Sequence, residues 1–358
     1  MVAVPDLRLD GATLGLSDVS NLLVAKDGTI ALVQRQDAKV RLFEASGRET
    51  GSFGAKGEGP GEFRAISLSG WVGDSLWVSD PATRRTTIIS PDRKLAASLP
   101  MPITLGTGDP ALPQLGTGFG LSFQGMAHDG TVSVWFPTVP KGPHPSWWPT
   151  DRSGTPVVST TREGRFRKVL LWRPEEDRSC NVSWSAGGAS GGTAVPFCAA
   201  PLLSFSDHGD RIALVTQQNG VPAFRVAVFD SDGLSVFARS ISYQPVPIPR
   251  QVSDSVLEIV RRQPQPNAVA TKAIRDMKLP AEFAPVRRVI LGSDGSTWLE
   301  RRLSVRSREW LVLNEKGNTV GTLTLDPDVT LRVVTRTMVW ATVADADDVP
   351  SVIRMKVR

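Results

Sequence analysis

One alternation of polar and apolar positions recurs along the chain. A polar Asp/Gly turn leads into a short apolar strand at DGTIALV (27–33), GDSLWVS (73–79), DGTVSVW (129–135), HGDRIALVT (208–216) and DGSTWLE (294–300), with a degenerate sixth copy at TRTMVWATV (335–343). Gly and Asp tolerate the positive φ that a tight reversal between antiparallel strands requires. A second signal follows most copies, an apolar strand that runs into another polar turn. It is seen at RLFEASGRETGSF (41–53), TTIISPDRKLAASL (87–99), VAVFDSDGLSVFA (226–238) and LVLNEKGNTVGTL (311–323); STTREGRFRKVLLW (159–172) fits it less cleanly. With one further strand ahead of each turn, every unit holds four antiparallel strands.

Six units in 358 residues leave each one longer than a propeller blade of ~40–50 residues. Two insertions, at about 137–200 and 244–285, hold the excess. The sixth unit ends at ATVADADDVPSVIRMKVR with no room for a fourth strand, whereas the N-terminal VAVPDLRLD has a strand pattern and precedes the first full unit. The economical solution is that the N-terminal strand completes the last blade, which removes two free sheet edges. The expected fold is all-β, a six-bladed β-propeller in one domain over 1–358, with helix confined to the second insertion near 250–280.

The stretch GAKGEGPGEF (54–63) has the glycine density of a phosphate cradle. A P-loop needs Gly-Lys-Ser/Thr opening a helix, and a dinucleotide fingerprint needs G-x-G-x-x-G. Here the spacing is Gly57-x-Gly59-x-Gly61, and a strand follows. The loop is therefore expected to be a blade junction, with Phe63 packed between blades, Glu62 bonded to local backbone and Asp80 bonded to backbone at a strand end. GEGPGEF followed by SLWVSDPATRRTTIIS resembles the NHL-type repeat, strongly only over 54–92, and the chain as a whole resembles bacterial six-bladed NHL-like propellers. That resemblance implies the fold. It implies little about activity, because such propellers host binding proteins and enzymes alike.

Net charge is +5, and the arginine pairs Arg84-Arg85, Arg261-Arg262, Arg287-Arg288 and Arg301-Arg302 are scattered rather than run together. Nucleic-acid binding would need a concentrated basic patch with stacking aromatics; an acidic protein or an anionic surface suits this distribution better. No stretch reaches the 18 or so apolar residues of a membrane span. The start, MVAVPDLRLDG, lacks the basic and apolar regions of a signal peptide. Cys180 and Cys198 flank the Gly/Ser-rich SAGGASGGTAVPF. A disulfide there implies an oxidising compartment, so the expected location is extracytoplasmic, periplasmic and peripheral to a membrane, with any leader outside this chain. Two unpaired buried thiols are the alternative.

Catalytic patterns are weak. Gly188-Ala189-Ser190-Gly191-Gly192 matches G-x-S-x-G but has no helix after it, as a nucleophile elbow requires. His128 and His208 occupy equivalent turns and are expected on the rim; Asp74, Asp129, Asp210 and Asp294 are explained by turns. No metal or cofactor set assembles from these residues. The insertions are more distinctive. PTVPKGPHPSWWPTDRSG (137–154) carries adjacent Trp147 and Trp148 on a proline-stiffened segment. Tryptophan favours interface hot spots, so these indoles are candidates for a docking loop; folding back onto the propeller is the alternative. In the second insertion, Val252, Val256 and Ile259 recur at helical spacing, and Ser255 with Glu258 fits a capping box. The segment ATKAIRDMKLP extends the helical pattern. Arg261, Arg262, Lys272 and Arg275 are candidate partner-binding residues on a solvent face. The expected function is a non-enzymatic binding or scaffold propeller, a peripheral subunit docked onto a larger protein or membrane complex. A metal-dependent hydrolase or lyase with its site in the central channel, and a small-ligand or glycan-binding propeller, are the alternatives.

Overall fold

A computed structural model describes residues 1–101, 122–136, 147–149, 151, 153–175, 178–305 and 307–358. Strand β1 (Ala3–Leu9) opens the chain, and a one-turn helix α1 (Gly11–Leu14) follows it. Blade one is β2 (Asn21–Val24), β3 (Ile30–Gln34), β4 (Lys39–Phe43) and β5 (Glu49–Phe53). Blade two is β6 (Ser69–Val72), β7 (Ser75–Asp80), β8 (Arg85–Ile89) and β9 (Leu95–Pro100). Blade three is β10 (Ser122–Met126), β11 (Val132–Trp135), β12 (Thr155–Thr160) and β13 (Phe166–Arg173). A separate hairpin, β14 (Asn181–Ala186) and β15 (Ala189–Ala194), precedes blade four, which is β16 (Leu202–Phe205), β17 (Arg211–Thr216), β18 (Ala223–Asp230) and β19 (Ser235–Ser242). Helices α2 (Arg250–Arg262) and α3 (Ala268–Arg275) lead to blade five, β20 (Val286–Leu291), β21 (Thr297–Arg302), β22 (Arg308–Leu313) and β23 (Thr319–Leu323). Blade six is β24 (Thr330–Val334), β25 (Met338–Ala344) and β26 (Pro350–Val357), completed by β1.

The result is a six-bladed β-propeller of four-stranded antiparallel sheets. β1 pairs with β26 from Ala3↔Val357 to Leu9↔Val352, across a bulge between Pro5 and Leu7. The turns form as their residues require. Asp27 Oδ1 accepts from Thr29 N, Asp129 Oδ1 from Thr131 N and Asp294 Oδ1 from Ser296 N, while Gly28, Gly130 and Gly295 take φ of +88°, +79° and +81°. In each case the Asp side chain closes the turn, and the glycine supplies the left-handed step.

First strands of neighbouring blades meet, as β2 with β24 and β16 with β20, so they line the central channel. Second strands are mostly buried; every residue of β3 is. Each is sandwiched between two neighbouring blades, which removes the half-solvated alternation an exposed sheet face would impose. The core is correspondingly divided into one apolar cluster per junction. Phe63, with none of its surface exposed, joins Leu23, Val33 and Val40 of blade one to Trp71 and Val78 of blade two. Glu62 Oε2 accepts from Gly59 N at 2.8 Å. Asp80, 1 % exposed, accepts from the backbone N–H groups of Arg64, Ala65, Ala82 and Thr83. The Gly-rich loop is thus a blade junction.

Three details differ from the sequence expectation. Helix is not confined to the second insertion: α1 and a 3-10 turn at Arg178–Cys180 lie outside it. β12 and β13 lie within 137–200, so the extra chain there is split around the outer half of blade three. And α2 begins at Arg250, capped by Pro249 without a side-chain bond. Ser255 and Glu258 therefore sit inside the helix, because Pro245, Pro247 and Pro249 already hold the chain extended up to its start.

Candidate functional site

Strand order fixes two faces. The turns between first and second strands, and between third and fourth, fall on one face; the remaining loops, including both insertions, fall on the other. On that loop face the two insertions join into one accessory module. Cys180 and Cys198 form a disulfide at the base of the β14–β15 hairpin, whose two-residue turn uses Gly187 (φ +59°) and Gly188 (φ +79°). Ser190 lies on β15, opposite Ser185. α3 packs on β14, and Ile274, Met277, Leu257 and Val260 share an apolar cluster with Val182, Trp184, Val195 and Cys198. Asn267 caps α3 by accepting from Ala270 N at 2.8 Å.

Arg261, Arg262, Lys272 and Arg275 are all exposed on this module. Arg262 pairs with Glu258 at 2.5 Å, and Arg261 donates to the Arg275 carbonyl at 2.9 Å. The predicted apolar stripe is rotated: Leu257 and Val260 do the packing, whereas Ile259 is 62 % exposed. The tryptophans do not stand out on a docking loop. Trp148 is 2 % exposed, edge-on to Phe136 at 5.4 Å and to Trp172 at 5.6 Å. Trp147 stacks on Phe166 at 4.5 Å. Indoles on a segment lying along a blade bury more apolar area there than in water, which the local sequence could not decide. Residues 137–146, 150 and 152 of that expected loop lie outside the described residues.

The channel holds the feature least visible in the sequence. The turn Ser206–Asp210 of blade four crosses the ring axis. The Asp207 carbonyl accepts from Trp71 N of blade two at 2.6 Å. The His208 imidazole reaches the backbone of Val24 in blade one. A Cβ on Gly209, whose φ is +67°, would collide with the Met126 carbonyl of blade three. His208 is thus at the channel mouth, not on the rim, and burial holds its imidazole below the usual range; His128 is exposed. The Asp207 carboxyl has no hydrogen-bond or ion-pair partner among the described residues, and burial pushes it up to about 7. It keeps some accessible surface. Among the described residues, no three His, Cys, Asp or Glu side chains converge as a metal ion would need.

A second concavity lies on the loop face between blades five and six. Its volume is about 670 Å³, and Arg287, Arg288, Glu300, Arg308, Trp310 and Asp326 are among the residues that line it. The arginine pairs that look dispersed in sequence meet here, because strand register puts Arg288, Glu300 and Trp310 in one cross-strand row.

No protein-family model and no curated protein matches the sequence. Among solved structures, a DUF4221-family protein from Bacteroides vulgatus superposes with a TM-score of 0.53 at 10% identity, covering 99% of this chain and 97% of its own. A protein from Bacteroides fragilis gives 0.50 at 8% identity, covering 99% and 94%. Virginiamycin B lyase from Staphylococcus aureus gives 0.41 at 9% identity, covering 94% of each chain. The first two likenesses show the propeller fold. The NHL-type assignment stays a resemblance of residues 54–92.

Proposed function

We propose that the protein works by binding, as a scaffold propeller that docks the accessory module on its loop face against an acidic protein surface. The exposed basic helical hairpin is the observation that carries this reading. Arg250, Arg261, Arg262, Lys272, Arg275 and Lys278 outnumber Asp254, Glu258 and Asp276, and all of them are exposed. Ile259 and Val269 stand exposed among them, at 62 % and 46 %, giving the apolar contact that an interface centre uses. The disulfide-closed hairpin seats the helices, so little ordering remains to be done on association. A bridge of this kind fits an oxidising compartment, in keeping with a peripheral extracytoplasmic subunit of a larger complex.

Reversing the charge at Arg261, Arg262, Lys272 and Arg275 to Glu is expected to abolish retention of the partner, with folding unchanged. The measurement is native purification of tagged wild type and variant from the source envelope, followed by identification of the retained protein and titration against salt. Charge-steered association weakens as ionic strength shortens the ~10 Å Debye length at 0.1 M. Retention of the same partner by a folded variant, or a partner without acidic surface, would overturn the proposal.

A further inference from the structure

The groove between blades five and six gathers several charged side chains around one buried carboxylate. Glu300 is 6 % exposed, and its Oε2 is buried without a hydrogen-bond partner among the described residues. A buried acceptor in that condition is rare in folded proteins and calls for an explanation. Around the same carboxylate, Arg287 and Arg308 approach Oε1 at only 3.7 and 3.5 Å. Those distances are longer than the roughly 2.7–2.9 Å of a formed charge-assisted bond. Arg288 donates to the Leu331 carbonyl at 2.9 Å and lies over the Trp310 ring at 5.6 Å. Arg302 is held behind them, its guanidinium 3.9 Å from the centre of the Phe283 ring. Burial, joined by neighbouring arginines, pushes both Arg288 and Arg302 down.

Two guanidinium groups thus flank one carboxylate, whose charge also acts on Arg288 and Arg302, and Asp326 is the other carboxylate on the wall. The forks of Arg287 and Arg308 have N–H groups left to give, and Glu300 has an oxygen left to receive. Leu325, Pro327 and Val329 add an apolar side. The volume of about 670 Å³ lies inside the range of roughly 300–1,000 Å³ that small-molecule sites occupy.

We propose that this groove binds a small hydroxylated organic acid, of the sugar-acid or hydroxy-acid class. Its anionic group pairs with Arg287 and Arg308, and a hydroxyl donates to the Glu300 carboxylate. A plain anion satisfies the arginines and leaves Glu300 unpaired; a neutral sugar does the reverse. None of the accessory module's exposed cations lines the site.

The test is calorimetric titration and thermal denaturation of the full chain with D-glucuronate, D-gluconate and L-malate, with D-glucose and acetate as controls. At least one hydroxylated acid is expected to bind and raise Tm, while glucose and acetate do neither. Arg287→Ala and Arg308→Ala change half-exposed side chains, so the fold survives them. Each is expected to weaken binding about tenfold or more, equivalent to one lost charge-assisted contact, with the Tm of the free protein unchanged. Glu300→Gln places an amide where the hydroxyl donor would arrive and is expected to weaken the acids without creating acetate binding. Silence from all three acids, acetate binding as tightly as they do, or undiminished binding by both arginine variants would overturn the proposal.

Discussion

Deleting residues 1–9 is expected to open the ring and abolish cooperative folding. The deletion removes the whole ladder from Ala3↔Val357 to Leu9↔Val352 and the reciprocal Val2–Arg358 backbone bonds, each 2.9 Å. It also removes the Asp6 carboxylate, which accepts from Arg354 Nε at 2.8 Å and is held below the usual carboxylate range chiefly by that bond. Leu9, 3 % exposed, leaves the cluster it shares with Leu22, Ile30, Trp340 and Val352. At about 1 kcal/mol per ladder bond and 1.5–3 kcal/mol for a buried leucine, the loss is on the order of 5–10 kcal/mol. That is comparable to the whole stability of an ordinary domain, about 5–15 kcal/mol. β26 becomes a long unpaired edge, a template for aggregation. Denaturant unfolding and light scattering read the result, and a synthetic peptide of residues 1–9 added in trans should restore solubility. A monomeric deletion protein with unchanged Tm would show that β1 is not the closure.

Asp207→Asn is expected to stabilise the protein, increasingly so as pH rises. The carboxyl ionises near 3.8 when solvated and near about 7 in the folded chain, so the native state holds a proton that the unfolded state has released. Native stability owed to this group is full below 3.8 and falls as pH climbs through the window up to about 7. At about 1.36 kcal/mol per unit, and with allowance for channel water, the loss is on the order of 2–4 kcal/mol. The amide carries no such penalty. The difference in unfolding free energy between variant and wild type should therefore be near zero at about pH 3.5, grow through about pH 7 and then level off. His208, whose pKa is lowered, works in the opposite sense, losing stability as pH falls, but it is common to both proteins and cancels in the comparison. A difference that stays flat from about pH 4 to 8 would mean that Asp207 is solvated in the folded chain.

Much of the architecture can be read locally. A turn such as Asp27-Gly28-Thr29 declares itself because one carboxylate and one positive φ make it, and the missing fourth strand of blade six points to the N-terminus. Phe63 and Asp80 are legible for the same reason, since their partners lie within a blade junction. What escapes local inspection depends on register and on ring geometry. Arg287, Arg288, Glu300, Arg302 and Arg308 become neighbours only once β20, β21 and β22 are aligned; along the sequence they are scattered among ordinary charged positions. Likewise HGDR looks like one more turn. That the turn Ser206–Asp210 reaches blades one, two and three follows from its position at the axis. The indoles Trp147 and Trp148 are undecidable locally, because an aromatic pair on a proline-rich segment serves an interface and a core equally well.

The closure also sets how the molecule carries mechanical load. Val2 and Arg358 sit side by side at the same end of one antiparallel ladder. A pull on the two chain ends therefore opens β1 from β26 like a zipper, one rung at a time, and meets little resistance. A pull between the N-terminus and the accessory module on the far face runs along β1 instead and loads the rungs of that ladder together in shear. The same ring is thus weak to tension across its ends and strong to tension through its body.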